Sequence, residues 1–99
     1  MTRYRWYVGK TDKDGLDVSV ADQDAAISLV NAIMDGCTVY HAVGYWHDQR
    51  ELSLVIEAIN PGEPAPTWAI SIASALRYLC RQNAVLWTLE TVIGGLVEE

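Results

Sequence analysis

The sequence predicts an α+β fold, in which an antiparallel sheet of four strands carries two helices on one face. Two observations support this prediction. Four segments alternate between apolar and polar residues, two others repeat apolar residues at helical spacing, and their order is strand, helix, strand, strand, helix, strand. This βαββαβ order is the ferredoxin-like arrangement. The 99 residues suit a single domain, residues 1–99, since domains usually span roughly 100 to 200 residues.

The first strand is predicted at residues 3–9, where aromatic and charged side chains alternate. A turn rich in Asp and Gly follows at 10–15, and a short extended piece at 16–20. Apolar residues then recur at helical spacing over residues 22–34. Gly36 stands where a left-handed cap would end this helix.

Strands at residues 38–46 and 51–59 are predicted to form a hairpin, because only four polar residues separate them. Three prolines then prevent the strand from continuing. Thr67 is expected to cap a second helix that runs to about Arg81, and the last strand is predicted at residues 84–90.

The parity of the strand residues predicts which side chains occupy the uncovered face of the sheet. In the second strand, the polar His41 indicates that His41, Val43 and Tyr45 point to this face, while Tyr40, Ala42 and Trp46 point to the helices. With the other strands sorted in the same way, the predicted open face carries Arg5, Tyr7, His41, Val43, Tyr45, Val55, Glu57, Ile59 and Glu90. Such a mixed surface favours pairing with a second copy, with a ligand beside or between the copies.

The composition limits the partners. Seven basic residues against thirteen acidic ones give a net charge of -6, and the basic residues are dispersed. Binding to duplex nucleic acid depends on phosphate neutralisation, so this class is disfavoured. An apolar content of 51% leaves apolar surface exposed in a chain this small, which predicts a dimer or higher homo-oligomer. Cys37 and Cys80 form no C-x-x-C pair and are expected to be buried, in a protein of the cytoplasm.

The sequence shows no motif for a metal, a cofactor or a nucleophile. His41 and His47 lie too far apart along a strand to share a metal. The acidic turn that contains Asp12 lacks the glutamate at the twelfth position of a calcium loop and is interpreted as a solvated turn. Glu57 is the carboxylate expected to be most buried, and a cross-strand pair with Arg5 is favoured over a role as general base.

Residues 35–46 and 51–57 contain Gly-x-Thr-Val, Gly-x-Trp and Glu-x-Ser-x-Val in this order. This pattern resembles small uncharacterised ferredoxin-like proteins of phages and actinobacteria. The resemblance implies the same fold and, for a phage-encoded chain, a location in the host cytoplasm. That family has no settled activity, so it implies no catalytic residue.

The leading hypothesis is a non-enzymatic, homo-oligomeric binding protein that acts as a phage anti-defence protein by sequestering a small anionic, nucleotide-derived signal. It rests on analogy in size and aromatic content with phage proteins of that kind. The predicted ligand-binding residues are Arg5, Tyr7, His41, Tyr45, Arg50 and Glu57. One alternative is an interaction module that inhibits or assembles with a host or phage protein. Another is a small ferredoxin-like enzyme that uses His41 or Glu57 as acid or base.

Overall fold

The computed structural model describes residues Met1–Glu99 and confirms the ferredoxin-like α+β fold. Its elements are β1 (Thr2–Gly9), α1 (Val20–Met34), β2 (Thr38–Trp46), β3 (Gln49–Asn60), α2 (Pro66–Leu79) and β4 (Leu86–Thr91). The strands form one antiparallel sheet in the order β2-β3-β1-β4. Both helices pack on the same face of this sheet, and the opposite face, here called the open face, has no covering element.

The central strand β1 is joined to α2 through two buried aromatic residues. Tyr4 and Trp6 are both at most 1% exposed, and their rings stack with centroids 5.7 Å apart. The Trp6 indole Nε1–H donates to the Ala69 carbonyl at 3.0 Å, and the Tyr4 hydroxyl accepts from the Ala65 N–H at 2.9 Å. The core therefore contains large aromatic residues without leaving their polar atoms unpaired.

The ends of α1 differ slightly from the prediction. Ser19 caps the helix, because its hydroxyl accepts from the Asp22 N–H at 3.1 Å. At the other end Asp35, with φ 55°, takes the left-handed position that was predicted for Gly36. Gly36 follows with φ 123°. The prediction was wrong by one residue because Asp also tolerates the left-handed conformation.

The start of α2 also differs. Thr67 was predicted as the cap, but Ala65 is the cap residue and Pro66 begins the helix. Proline suits this position because its missing N–H would have no helical partner there. Residues 16–20 form no strand; instead, Thr11 and Asp17 make an isolated bridge across the loop after β1.

The predicted orientation of β2 is wrong. In the observed register His41 lies opposite Leu54, and Val43 lies opposite Leu52. Directly opposed residues share a face, and Leu54 is buried in the core beneath the helices. The side chains of His41 and Val43, together with that of Tyr45, therefore lie on the helix side. Tyr40, Ala42, Gly44 and Trp46 occupy the open face instead. The cause is that β2 is an edge strand, and the helices pack on β1, β3 and β4.

The hairpin between β2 and β3 is tighter than predicted. Its turn consists of His47 and Asp48, with φ 49° and 61°, where four connecting residues were expected. Two successive positive φ angles define a type I′ turn, whose twist matches that of the flanking strands. This turn normally contains Asn and Gly, so His47 and Asp48 occupy it at a conformational cost.

Replacing Asp48 with Gly should therefore stabilise the protein. Glycine relieves the strain of the left-handed conformation, but it also loses more conformational entropy on folding. The net gain in the free energy of unfolding is about 0.5 to 1 kcal/mol. Urea unfolding measures the change. The control is Gln49→Gly one residue later, which lies in β3 and should be destabilising. Equal destabilisation by both substitutions would contradict the turn geometry.

Candidate functional site

Four charged side chains form a network on the open face, here called the charge cluster: Arg3 and Arg5 of β1, Glu57 of β3 and Glu90 of β4. Arg5 Nε lies 2.7 Å from Glu57 Oε1, and Arg3 Nη1 lies 3.1 Å from Glu90 Oε1. The hydrogen bond that Arg5 donates to the Glu57 carboxylate raises the pKa of Arg5. The structure thus confirms the predicted Arg5 to Glu57 pair. Two positive and two negative charges leave the cluster without net charge.

An apolar row crosses the open face beside the charge cluster. Val55 of β3 lies opposite Tyr7 of β1 on one side and opposite Tyr40 of β2 on the other. Val55 is 0% exposed although no helix covers it. Its two tyrosine neighbours shield it, because side chains opposed across adjacent strands contact each other.

Beyond this row the open face forms a depression of about 730 Å³, here called the sheet cleft. Its floor consists of residues with small side chains, Gly9, Gly44 and Ser53. Large side chains surround the floor, and they belong to Tyr7, Trp46, Glu51 and Leu86. Residues 11–13 and 82–85 complete the rim. Its volume lies within the range of roughly 300 to 1,000 Å³ typical of pockets for small molecules.

Gly9 leaves room in the floor for the ends of two neighbouring side chains. A Cβ atom there would lie 2.7 Å from Gln82 Oε1 and closer still to the Glu51 carboxylate. The carboxylate of the exposed Glu51 side chain therefore lies over the floor of the cleft. It takes part in no hydrogen bond or ion pair within the protein.

Gln82 fixes one wall of the sheet cleft. Its side chain is buried and donates to the carbonyls of Gly9, Thr11 and Cys80, at 3.0 to 3.2 Å. Its Oε1 accepts from the Gly9 N–H at 3.1 Å. One amide group thus forms hydrogen bonds with backbone atoms of two distant segments, and it connects the end of β1 to the segment before β4.

Asp12 stabilises the adjoining loop and is not the solvated turn residue that was expected. Its carboxylate is 0% exposed and accepts from the N–H groups of Asp14 and Leu16 at 2.9 and 3.0 Å. It also pairs with Arg81 Nη2 at 2.9 Å. The backbone hydrogen bond from Leu16 is the largest of the causes that lower the pKa of Asp12. Sequence reasoning missed this because Arg81 lies 69 positions away.

The predicted ligand-binding residues are not all brought together. Tyr7 and Tyr45 both border the sheet cleft, although the register places Tyr45 opposite Arg50 on the helix side. Arg5 and Glu57 share the open face but are paired within the charge cluster. His41 and Arg50 belong to the helix side of the hairpin. Their roles in ligand binding stay predictions.

Sequence reasoning missed Trp46 and Glu51 as site residues. Parity assigned Trp46 to the core, and the Glu-x-Ser-x-Val pattern that begins at Glu51 implied no binding role. Trp46 is in fact 71% exposed on the open face. One sequence signal was available: Gly44 inside a strand and Gly9 at a strand end often mark sites where a ligand or another chain segment approaches the backbone.

The two cysteines, which were expected to be buried, differ in burial. Cys80 is fully buried and Cys37 is half-buried, and burial raises the pKa of both thiols. No group of three or more His, Cys, Asp and Glu side chains comes together as a set of metal ligands. None of the helices combines the length and apolar character needed to cross a membrane.

Several solved structures share this fold. A phage SAM lyase in complex with S-methyl-5′-thioadenosine matches with a TM-score of 0.68 at 17% identity, over 90% of this chain and 79% of that one. A phage SAM lyase in the apo state matches with a TM-score of 0.59 at 20% identity, over 90% and 78%. A DUF3240 family protein from Shewanella baltica gives 0.55 at 13% identity, over 99% and 97%. At these identities the likeness establishes the fold.

Sequence comparison adds no family assignment. No protein-family profile matches the chain, and no curated protein shows significant sequence similarity to it.

The contribution of Asp12 to stability should depend on pH in a defined way. The folded state lowers its pKa, so this contribution is fully present above the unfolded pKa of roughly 3.9 and is lost as the pH falls through the folded value. Asp12→Asn should thus be destabilising at neutral pH, by an amount that shrinks only below about pH 4. Urea unfolding at several pH values measures this, with exposed Asp14→Asn as control. A difference that disappears already at pH 6 would refute it.

Within the charge cluster, Glu57→Gln should destabilise the protein more than Glu90→Gln. Glu57 contacts both arginines and its side chain is 17% exposed, whereas that of Glu90 is 51% exposed. Loss of the better-buried partner leaves the two partly desolvated arginines with the more exposed Glu90 alone, so one positive charge is no longer compensated. Urea midpoints of the two variants test the order, and equal midpoints would mean that solvent screens both pairs alike.

Proposed function

We propose that this protein binds a small nucleoside-derived ligand in the sheet cleft and acts as a homo-oligomer without covalent chemistry. The observation that supports this most directly is the cleft itself, an open depression of about 730 Å³ with aromatic walls and an unpaired carboxylate over its floor. Concave sites that combine aromatic walls with a few polar groups are the usual form of a small-molecule site.

The aromatic walls suit a planar base. Tyr7 and Trp46 stand on strands to either side of β3, opposite Val55 and Gln49. These partners lie six positions apart, or roughly 20 Å along the strand, so a base stacks on one of the two rings. We place the base on Trp46, with the sugar directed over the floor toward Tyr7. Stacking of a base on an aromatic side chain contributes about 1 to 3 kcal/mol. The Glu51 carboxylate accepts hydrogen bonds, and ribose hydroxyls or an exocyclic amino group are donors that suit it.

The charges of the open face disfavour the anionic ligand that the sequence predicted for it. Arg5, expected to meet an anion, is already paired with Glu57, and the charge cluster has no net charge. Two charged side chains without an ion pair line the sheet cleft: the acidic Glu51 over the floor, and Lys13, the one cation of the rim. We therefore favour a ligand whose base and sugar are neutral or positively charged, and which places no phosphate over the open face.

Adenosine derivatives with a thioether or a sulfonium at the 5′ position have this chemistry. A phage SAM lyase of the same fold is seen in complex with S-methyl-5′-thioadenosine, which supports this ligand class for the sheet cleft. The resemblance of the sequence to phage proteins agrees with it. Sequestration of a nucleotide-derived signal by a phage-encoded chain is the biological role that we propose.

The exposed apolar residues of the β2 and β3 hairpin support the proposed self-association. Tyr40 and Trp46 are exposed on the open face, and Val43, Tyr45 and Leu52 are exposed on the helix side. A hairpin with exposed apolar side chains on both faces is unusual for a monomer. Light scattering after size exclusion should give a mass of at least twice 11.0 kDa.

One alternative function has an observation in its favour. Two of the structures with this fold are phage SAM lyases, and a sulfonium sulfur leaves readily as a neutral thioether. Glu51 would then act beside a reacting ligand. Release of S-methyl-5′-thioadenosine from S-adenosylmethionine, followed by chromatography, separates cleavage from simple binding.

Calorimetric titration with S-methyl-5′-thioadenosine tests the proposed function. Wild type should bind, and Trp46→Ala should weaken the Kd by about 5- to 100-fold through the loss of stacking. Trp68→Ala is the matched control, because Trp68 is an exposed tryptophan on α2, outside the cleft. Absence of binding to the wild type, or equal weakening by both substitutions, would refute the proposal.

A further inference from the structure

A second concave site lies on the helix side of the molecule, where three segments meet. It has a volume of about 410 Å³ and is here called the cationic cleft. The loop after β1 supplies Lys13, the first turn of α1 supplies Asp22, and the end of α2 with the residues after it supplies Arg77, Tyr78, Leu79, Arg81 and Gln82.

Positive charge is concentrated in this cleft although the chain as a whole is acidic. Three of the seven basic residues line it, in a protein with a net charge of -6. Arg81 is neutralised by Asp12 at 2.9 Å and also lies 3.4 Å from Asp22. Lys13 and Arg77 form no ion pair, so two cations are left without a partner around one cavity.

The backbone that carries Lys13 and the side chain of Arg81 are fixed by hydrogen bonds. Arg81 has φ 50° and donates from Nε to the buried Asp12 carboxylate at 3.0 Å. The Lys13 N–H donates to the Arg81 carbonyl at 2.8 Å, which fastens the loop to the end of α2. A cleft with a rigid wall needs little reorganisation to bind a ligand. The start of α1 and the end of α2 both border it, so their opposite dipoles offset and the side chains decide its potential.

We propose that the cationic cleft is an oxyanion site that binds a phosphate or a carboxylate between Lys13 and Arg77. Both side chains donate charge-assisted hydrogen bonds, which are the strongest that a small anion forms with protein side chains. The cleft shares Lys13 and Gln82 with the sheet cleft, so the two sites adjoin. The anion is therefore either a free ion or the acidic group of a ligand whose base lies in the sheet cleft.

Inorganic phosphate, titrated at constant ionic strength and followed by amide chemical shifts, tests the site. Wild type should show saturable shifts at Lys13 and around Arg77 and Arg81. Lys13→Gln and Arg77→Gln should each weaken the apparent Kd by at least about threefold, and together by about tenfold, or 1.4 kcal/mol. Lys10→Gln removes the same charge from a lysine that lines neither cleft and forms no ion pair, and it should change nothing.

Two results would overturn the proposal: shifts that do not saturate, and equal weakening by Lys10→Gln. Thermal melts of each variant establish that it is folded.

A second titration identifies the source of the anion. S-Adenosylhomocysteine carries a carboxylate that S-methyl-5′-thioadenosine lacks. If Arg77→Gln weakens binding of the first compound and spares the second, the cleft takes the acidic group of the ligand. If Arg77→Gln affects the binding of neither compound while phosphate still binds to the wild type, the cationic cleft takes a free anion. Each of these two results supports an oxyanion site. Phosphate is measured without any nucleoside, so failure of the proposed function would leave this test intact.

Discussion

The two helices cover one face of a four-stranded sheet, and most features of this protein follow from that constraint. Their 15 and 14 residues pack on β1, β3 and β4, where Tyr4 and Trp6 connect the sheet to α2. The open face has to be stabilised by its own side chains. It achieves this in two ways, by a charge cluster whose members neutralise each other and by tyrosines that shield Val55. The sheet cleft lies where neither arrangement extends, above residues with small side chains.

The alternation of residues along a strand predicts the direction of its side chains well when one face of the strand is buried. β1, β3 and β4 satisfy this condition, and Trp6, Ile56 and Trp87 all lie on the helix side as expected. β2 does not, because beyond Val39 it extends past the helices and both of its faces meet solvent. The polarity of His41 therefore carried no information on direction, and the assignment of the whole strand was reversed. A shift of one residue moves every side chain to the other face.

The candidate site was harder to predict than the fold, because it depends on contacts between distant residues. Asp12 resembles a solvated turn residue until Arg81, 69 positions away, is seen to bury it. The floor at Gly9 depends on Gln82, 73 positions away. Tyr7 was identified because its parity in β1 was right, whereas Trp46 was missed through the reversed strand. Asp12 borders the sheet cleft, and its partner Arg81 borders the cationic cleft. One ion pair therefore separates the two clefts and supports both.

The central claim is that the sheet cleft holds a nucleoside, and a crystal structure of the protein grown with S-methyl-5′-thioadenosine tests it most directly. We expect the adenine to stack on Trp46 with the sugar directed toward Tyr7, and the ligand to donate a hydrogen bond to the Glu51 carboxylate. Gly9 and Ser53 should contact the same ligand from below. An empty sheet cleft, with the compound bound elsewhere on the chain or absent at saturating concentration, would contradict the account.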